Sequence, residues 1–252
     1  MSFFLSKGRQ TSFPPKQPPR FVPPLVILRE NFWDLLLLNF CFCGCVFPFA
    51  AAGLFFFFAG ALLPAVLCLA LAALLSGPAG CAMARVFCDW QCGRACAPIG
   101  RFWSAFRGNI KHGALLGLFY QSMLALAGFA ACVYFFSPQG SPLFLLCGWL
   151  SLFLFLAIFL SSFYAYMMAA NLALSLPQIL KNAFLLFFLD WKDSLFLCAA
   201  SVLCALAVLS ALPFTLFLLP AGVFSILWLF NSCFAWRGIL RFAVLPIAPE
   251  KE

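Results

Sequence analysis

Three long stretches of this sequence contain no charged residue, and they constrain the fold more than any other feature. Residues 35–84, 113–180 and 194–236 lack Asp, Glu, Lys and Arg. A helix that crosses a bilayer needs roughly 20 apolar residues, so each stretch has room for two spans and a turn. The sequence therefore predicts an all-α, polytopic transmembrane bundle of about six spans in three hairpins, with two short interfacial helices beside it.

Composition excludes an ordinary soluble domain. The chain is 65% hydrophobic and 9% charged, with a mean hydropathy of +1.07, whereas a soluble domain is about half apolar and about a quarter charged. The net charge of +8 does not indicate nucleic-acid binding, because the basic residues flank the apolar runs. Basic residues in that position are typical of membrane orientation and of contact with anionic headgroups, so the lipid bilayer is the first expected partner.

The placement of charge also predicts the topology and the division of the chain. With six spans, all 15 Lys and Arg residues and all 7 acidic residues fall on one side of the membrane. Basic residues are enriched in cytoplasmic connections, so both termini are expected in the cytoplasm. We divide the chain into a proline-rich basic tail (1–30), a six-helix membrane domain (31–240) and a short C-terminal tail (241–252). The expected spans are 33–57, 61–87, 113–136, 143–168, 194–212 and 216–236.

Two segments are expected to lie on the inner membrane surface, at about 97–112 and 177–193. In the first, apolar side chains recur at spacings of three and four, which puts them on one helical face with Arg101 opposite. Whether that face enters the headgroup layer or packs on the bundle stays open at this point. The candidate contacts with lipid or a partner are Arg101, Phe102, Trp103, Phe106, Arg107, Lys111 and Lys181.

Three amides are the most polar groups within the uncharged parts of the predicted spans: Asn39, Gln121 and Asn231. None of them ionises, and coupled transporters usually bury a charged residue on the substrate path. The amides could instead form hydrogen bonds between helices or line a path for an uncharged solute. A cavity that holds them would favour transport, and a packed bundle would favour an accessory role.

No catalytic constellation is recognisable, so we expect no enzyme, no cofactor and no metal. Cys88, Cys92 and Cys96 follow one another at a spacing of four. On a continuous helix, Cys88 and Cys96 would be about 12 Å apart along the axis, whereas zinc ligands converge on one ion at about 2.3 Å. A redox or acylation role for these thiols stays open.

Short motifs in a particular order give the chain a family resemblance. The first span begins at an aromatic pair and contains an Asn, and the second span contains a Gly-Pro-Ala element. A basic connection then leads to two glycines in the third span. The residues are Phe32-Trp33, Asn39, Gly77-Pro78-Ala79, Phe102-Trp103, Phe106 to Lys111, Gly113, Leu115-Leu116-Gly117 and Leu180 to Phe184. In this order, over about 30–240, the sequence resembles the YesL family of bacterial membrane proteins.

The resemblance implies a location and a role but no catalytic residues. Members of that family are inner-membrane proteins often encoded near carbohydrate importers and sensor kinases. By that analogy the chain is expected to be a non-enzymatic accessory to carbohydrate uptake or sensing, with a sugar ABC transporter or a sensor kinase as partner. The alternative is a small transporter, or a substrate-binding membrane subunit, for a neutral solute.

Overall fold

The computed structural model describes residues 22–137, 141–195 and 224–244, together with the single residues 199, 202 and 222. All regular structure in these residues is helical, as the sequence predicts. The helices are α1 (Pro24–Glu30), α2 (Phe32–Phe58), α3 (Leu62–Gln91), α4 (Pro98–Gly108), α5 (Ile110–Phe135), α6 (Pro142–Asn171), α7 (Leu176–Leu189) and α8 (Phe224–Ile239).

Four of the described helices, α2, α3, α5 and α6, are long and apolar enough to cross a membrane. Helices α2 and α3 pack as one antiparallel hairpin, and α5 and α6 pack as a second. The turn of the first hairpin is short because Gly60 adopts a φ of 76°, a left-handed conformation that glycine tolerates without strain. The first two predicted hairpins are therefore confirmed as long apolar helices.

The third predicted hairpin lies largely outside the described residues, so the count of six spans stays a prediction. Of the expected span 194–212, the structure describes only residues 194, 195, 199 and 202. Of the expected span 216–236, the structure describes Gly222 and residues 224–236. There α8 continues to Ile239 and then into a π-helical turn at Leu240–Val244, so the boundary expected at 240 falls within helical structure.

The last seven residues of the predicted tail, 24–30, form a helix that packs on the bundle. Pro24–Glu30 forms α1, with a proline in the first turn, where a missing backbone N–H costs nothing. Ile27 is buried in the core, and the Val22 N–H donates to the Gln91 carbonyl at 3.0 Å. Residues 22–30 therefore belong to the folded membrane domain.

Glycines allow α3 and α5 to cross with their backbones in contact. A Cβ on Gly77 would overlap the Gly113 carbonyl, and a Cβ on Gly117 would lie 2.6 Å from the Gly77 nitrogen. Small residues at such crossings let membrane helices gain dispersion contacts. This crossing brings together two motifs that lie 36 positions apart in the sequence, counted from Gly77 to Gly113, and fixes how the two hairpins meet.

The outer faces of the long helices are apolar, as a lipid environment requires. Phe129 on α5 and Leu150 on α6 are 70% and 67% exposed, although both side chains would be buried in a soluble core. Inside the bundle, Trp228 of α8 contacts the aromatic rings of Phe42, Phe163 and Tyr166 at centroid distances of 5.1–5.7 Å. The bundle thus has an aromatic interior and an apolar exterior, which is the pattern of a polytopic membrane protein.

Candidate functional site at the charged end of the bundle

The charged end of the bundle is defined here as the end where α3 and α6 finish and α5 begins. Arg85 of α3 donates to the Asn171 side chain at the last residue of α6, at 2.9 Å. It also lies 3.4 Å from the Ala170 carbonyl, so a cation satisfies carbonyls that a helix C-terminus leaves without intrahelical donors. The connection through α4 then leads directly from α3 to α5 at this end.

Asp89 is the centre of the charged end. Its side chain is almost fully buried, with 2% exposure, and three guanidinium groups surround it. The Nη1 of Arg94 lies 3.3 Å from Oδ1, and the Nε of Arg101 lies 2.7 Å from Oδ2. The Nε of Arg85 lies 4.0 Å from Oδ2, one helical turn away. A buried carboxylate is stable only with such partners, so this cluster orders three segments around one anion.

The end of α3 positions Arg94 for this contact. Gly93 adopts a φ of 66°, its N–H donates to the Trp90 carbonyl, and the Arg94 N–H donates to the Asp89 carbonyl at 2.9 Å. These two bonds form a Schellman motif, which ends a helix at a left-handed glycine. Backbone and side chain of Arg94 therefore both meet Asp89.

This cluster was not predicted from the sequence, because the second span was expected to end at residue 87. The helix runs one turn further, to Gln91, so Arg85 and Asp89 lie within it. Gly93 was the available signal, since a glycine just after the last residue of an apolar run is typical of a helix C-terminus. The pairing with Arg101, twelve positions further on, has no local signature in the sequence.

The predicted surface contacts divide into buried and exposed groups. Phe102 is buried and Phe106 packs against the core, which settles the open question for these two rings in favour of the bundle. Trp103 stays 40% exposed. Arg101 was expected on the free surface, whereas its side chain turns inward to Asp89. The predicted cations that remain on the exposed surface are Arg107, Lys111 and Lys181.

The three predicted intramembrane amides do not come together. Asn39 is buried and accepts the Ser225 N–H at 3.1 Å, which joins α2 to the start of α8. Asn231 is buried, and its Nδ2 donates to the Leu227 carbonyl of its own helix at 2.9 Å. Gln121 lies on the exposed side of α5 at a mainly apolar groove. No cavity found among the described residues holds all three amides.

The cysteine stripe is interrupted where α3 ends. Cys88 lies in the last turns of α3, Cys92 caps the helix, and Cys96 lies in the connection before α4. Within the described ranges, no group of three or more His, Cys, Asp or Glu side chains is placed to hold a metal ion. A hydrogen bond with Cys88 and the nearby Arg94 guanidinium lower the pKa of Cys92, whereas burial raises the pKa of Cys96.

The fold and the site together define a polytopic, all-α membrane protein with an ion-pair cluster at one end. No family model matches the sequence, and neither a curated protein nor a solved structure matches it. The resemblance to the YesL family therefore stays a prediction based on the motif order alone.

Proposed function

We propose that the chain is a non-enzymatic accessory protein of a bacterial inner membrane, and that it contacts its partner with the charged end of the bundle. The observation that carries the proposal is the separation of the three intramembrane amides. Asn39 and Asn231 bond to backbone groups of the bundle, and Gln121 faces outward. The Asn39 bond joins two helices, as interhelical amide bonds do in membranes, and within the described residues the three amides share no polar path for a solute.

The charged end offers a surface suited to a protein partner. Arg107 is exposed one helical turn after the half-exposed indole of Trp103 on α4, and Lys111 on α5 and Lys181 on α7 are exposed as well. Tryptophan and arginine are the residues that contribute most often to binding energy at interfaces. On the family resemblance, the partner that we propose is a membrane subunit of a carbohydrate importer or a sensor kinase.

Site-specific photocrosslinking in native membranes tests the proposal. A photoreactive residue is placed at Arg107 or Lys181, and a matched control is placed at Phe58, which is 84% exposed at the opposite end of α2. We expect Arg107 and Lys181 to crosslink one importer or kinase subunit, and Phe58 not to crosslink it. Crosslinks to lipid alone from all three positions would contradict the accessory role.

The alternative role as a transporter for a neutral solute predicts a different result. Reconstituted protein would then take up a sugar or vitamin in the absence of any other subunit. We expect no such uptake, because the described amides line no common cavity. Uptake that is lost on replacing Gln121 with Leu, but kept with Asn, would overturn the accessory proposal.

A further inference from the structure

A surface pocket of about 450 Å³ opens between the end of α3 and the first turns of α4. The residues that matter for its chemistry are Asp89, Arg94, Cys96, Gly100, Arg101 and Ser104. It lies at the charged end and is separate from the exposed cations Arg107 and Lys181. The exposed residues that we propose to contact a partner do not line this pocket, so the pocket is considered separately.

Positive charge is in excess at this pocket. Asp89 carries one negative charge and is surrounded by three guanidinium groups. The side chains of Arg94 and Arg101 are 44% and 36% exposed, so both reach the pocket as well as the carboxylate. The bond from Arg101 to Asp89 uses Nε, and the donors of its two terminal nitrogens lie outside that bond. Glu30 lines the adjacent cavity, and Asp34 acts electrostatically on Cys96. The excess of positive charge is therefore confined to the residues that line the pocket, where Arg94 and Arg101 face the single carboxylate of Asp89.

The first turns of α4 add neutral donors to the same pocket. Positions 97, 100, 101 and 104 repeat at spacings of three and four, so they share one face of the 11-residue helix. Gly100 has no side chain, and a Cβ there would meet nothing within 4 Å, so an anion has room near the helix start. Free N–H groups at a helix N-terminus favour negative charge, and the Ser104 hydroxyl is a further donor.

We propose that this pocket binds a phosphate group, either of an anionic phospholipid headgroup or of a soluble phosphate ester. Guanidinium groups match phosphate because their planar N–H donors can bond two oxygens at once. Asp89 holds both arginines in place whether or not a ligand is bound.

Two substitutions add a negative charge to the pocket without removing any contact of Asp89. Ser104→Glu acts on an exposed side chain, and Gly100→Asp acts where space is open and where an acidic residue suits the first helical turn. The matched neutral controls are Ser104→Gln and Gly100→Asn. Arg107→Gln removes a positive charge from α4 outside the pocket and serves as the control for net charge.

The full chain in a neutral detergent is titrated with inorganic phosphate and, separately, with short-chain phosphatidylglycerol, against sodium chloride of equal ionic strength. Bound ligand raises the thermal unfolding midpoint. We expect both acidic variants to weaken the apparent affinity at least about tenfold, which corresponds to about 1.4 kcal/mol. The two neutral variants and Arg107→Gln should stay within about threefold of the parent.

The two titrations also distinguish the sources of the phosphate. A shift with the lipid alone assigns the pocket to a headgroup, and a shift with inorganic phosphate assigns it to a soluble phosphate ester. No shift with either probe overturns the proposal. An equal loss in Ser104→Glu and Arg107→Gln overturns it too, because the effect would then follow net charge and not the pocket.

Discussion

Replacing Gly117 with Ala is expected to destabilise the bundle, although the same change in the middle of most helices is stabilising. Gly117 lies in α5, where the helix touches the backbone of α3. A Cβ at this position would overlap the Ala73 carbonyl and would lie 2.6 Å from the Gly77 nitrogen and 2.8 Å from the Gly77 Cα. These neighbours are backbone atoms of a packed helix, so no side-chain rotation relieves the contact.

The sign follows from two opposing magnitudes. Ala is favoured over Gly in a helix interior by roughly 0.5–1 kcal/mol. Ordinary carbon contacts lie at about 3.5–4.0 Å, so α3 and α5 would have to separate by about 1 Å, and such overpacking costs about 1–3 kcal/mol. Separation also weakens the contacts along the rest of the crossing. We therefore expect a net loss of about 2 kcal/mol.

Reversible unfolding of the purified chain, in mixed micelles with increasing denaturing detergent, measures this loss. Gly128→Ala is the matched control, because Gly128 lies on the same helix and a Cβ there would meet only the Phe155 ring, at 3.5 Å and 3.6 Å. We expect Gly128→Ala to be as stable as the parent or more stable by up to about 1 kcal/mol. The reasoning is refuted if Gly117→Ala is as stable as Gly128→Ala.

Three further predictions concern the charged end and the groups near it. Asp89→Asn leaves three arginines without their shared anion. Because these arginines reach solvent, we expect the free energy of unfolding to fall by about 2 kcal/mol in the same unfolding assay. Unchanged stability would show that the cluster is not structural. Burial, together with the neighbouring Asp193, raises the pKa of Asp190. The native state must therefore ionise a buried acid as the pH rises, and Asp190→Asn should be more stable than the parent at neutral pH, with the difference closing by about pH 4; a difference that is constant across pH would contradict this. The lowered pKa of Cys92 predicts faster alkylation than at Cys96 near neutral pH, and slower alkylation of Cys92 in Cys88→Ala, both read by peptide mass spectrometry; equal rates at the two thiols would refute it.

The long helices were predictable because hydropathy is a property of local composition. Uncharged runs give the bounds of α2, α3, α5 and α6 to within a few residues, and glycine marks the turn at Gly60. The same reasoning fails where charge enters a helix. The second span was expected to end at residue 87, whereas α3 continues to Gln91 and carries Asp89 in its last turn.

The candidate site was less predictable because it depends on long-range pairing. Arg101 has the periodicity of an exposed residue on an amphipathic helix, and only the fold shows that Asp89 draws it inward. Likewise, the sequence shows Asn39 and Asn231 as polar residues in apolar helices, but it does not show which way their side chains face. In the structure both side chains bond to backbone groups of α8. A sequence pattern gives the type of a helix, whereas the faces that meet depend on packing.

Site-specific accessibility of two tags tests the central claim most directly, which is that the charged end and the Gly60 turn lie on opposite sides of a membrane. One epitope is inserted at Gly60, between α2 and α3, and the other after Gly108, between α4 and α5. In intact bacterial spheroplasts we predict that antibody reaches the Gly60 tag, and that it reaches the Gly108 tag only after permeabilisation. Accessibility of both tags from the same side would contradict the account.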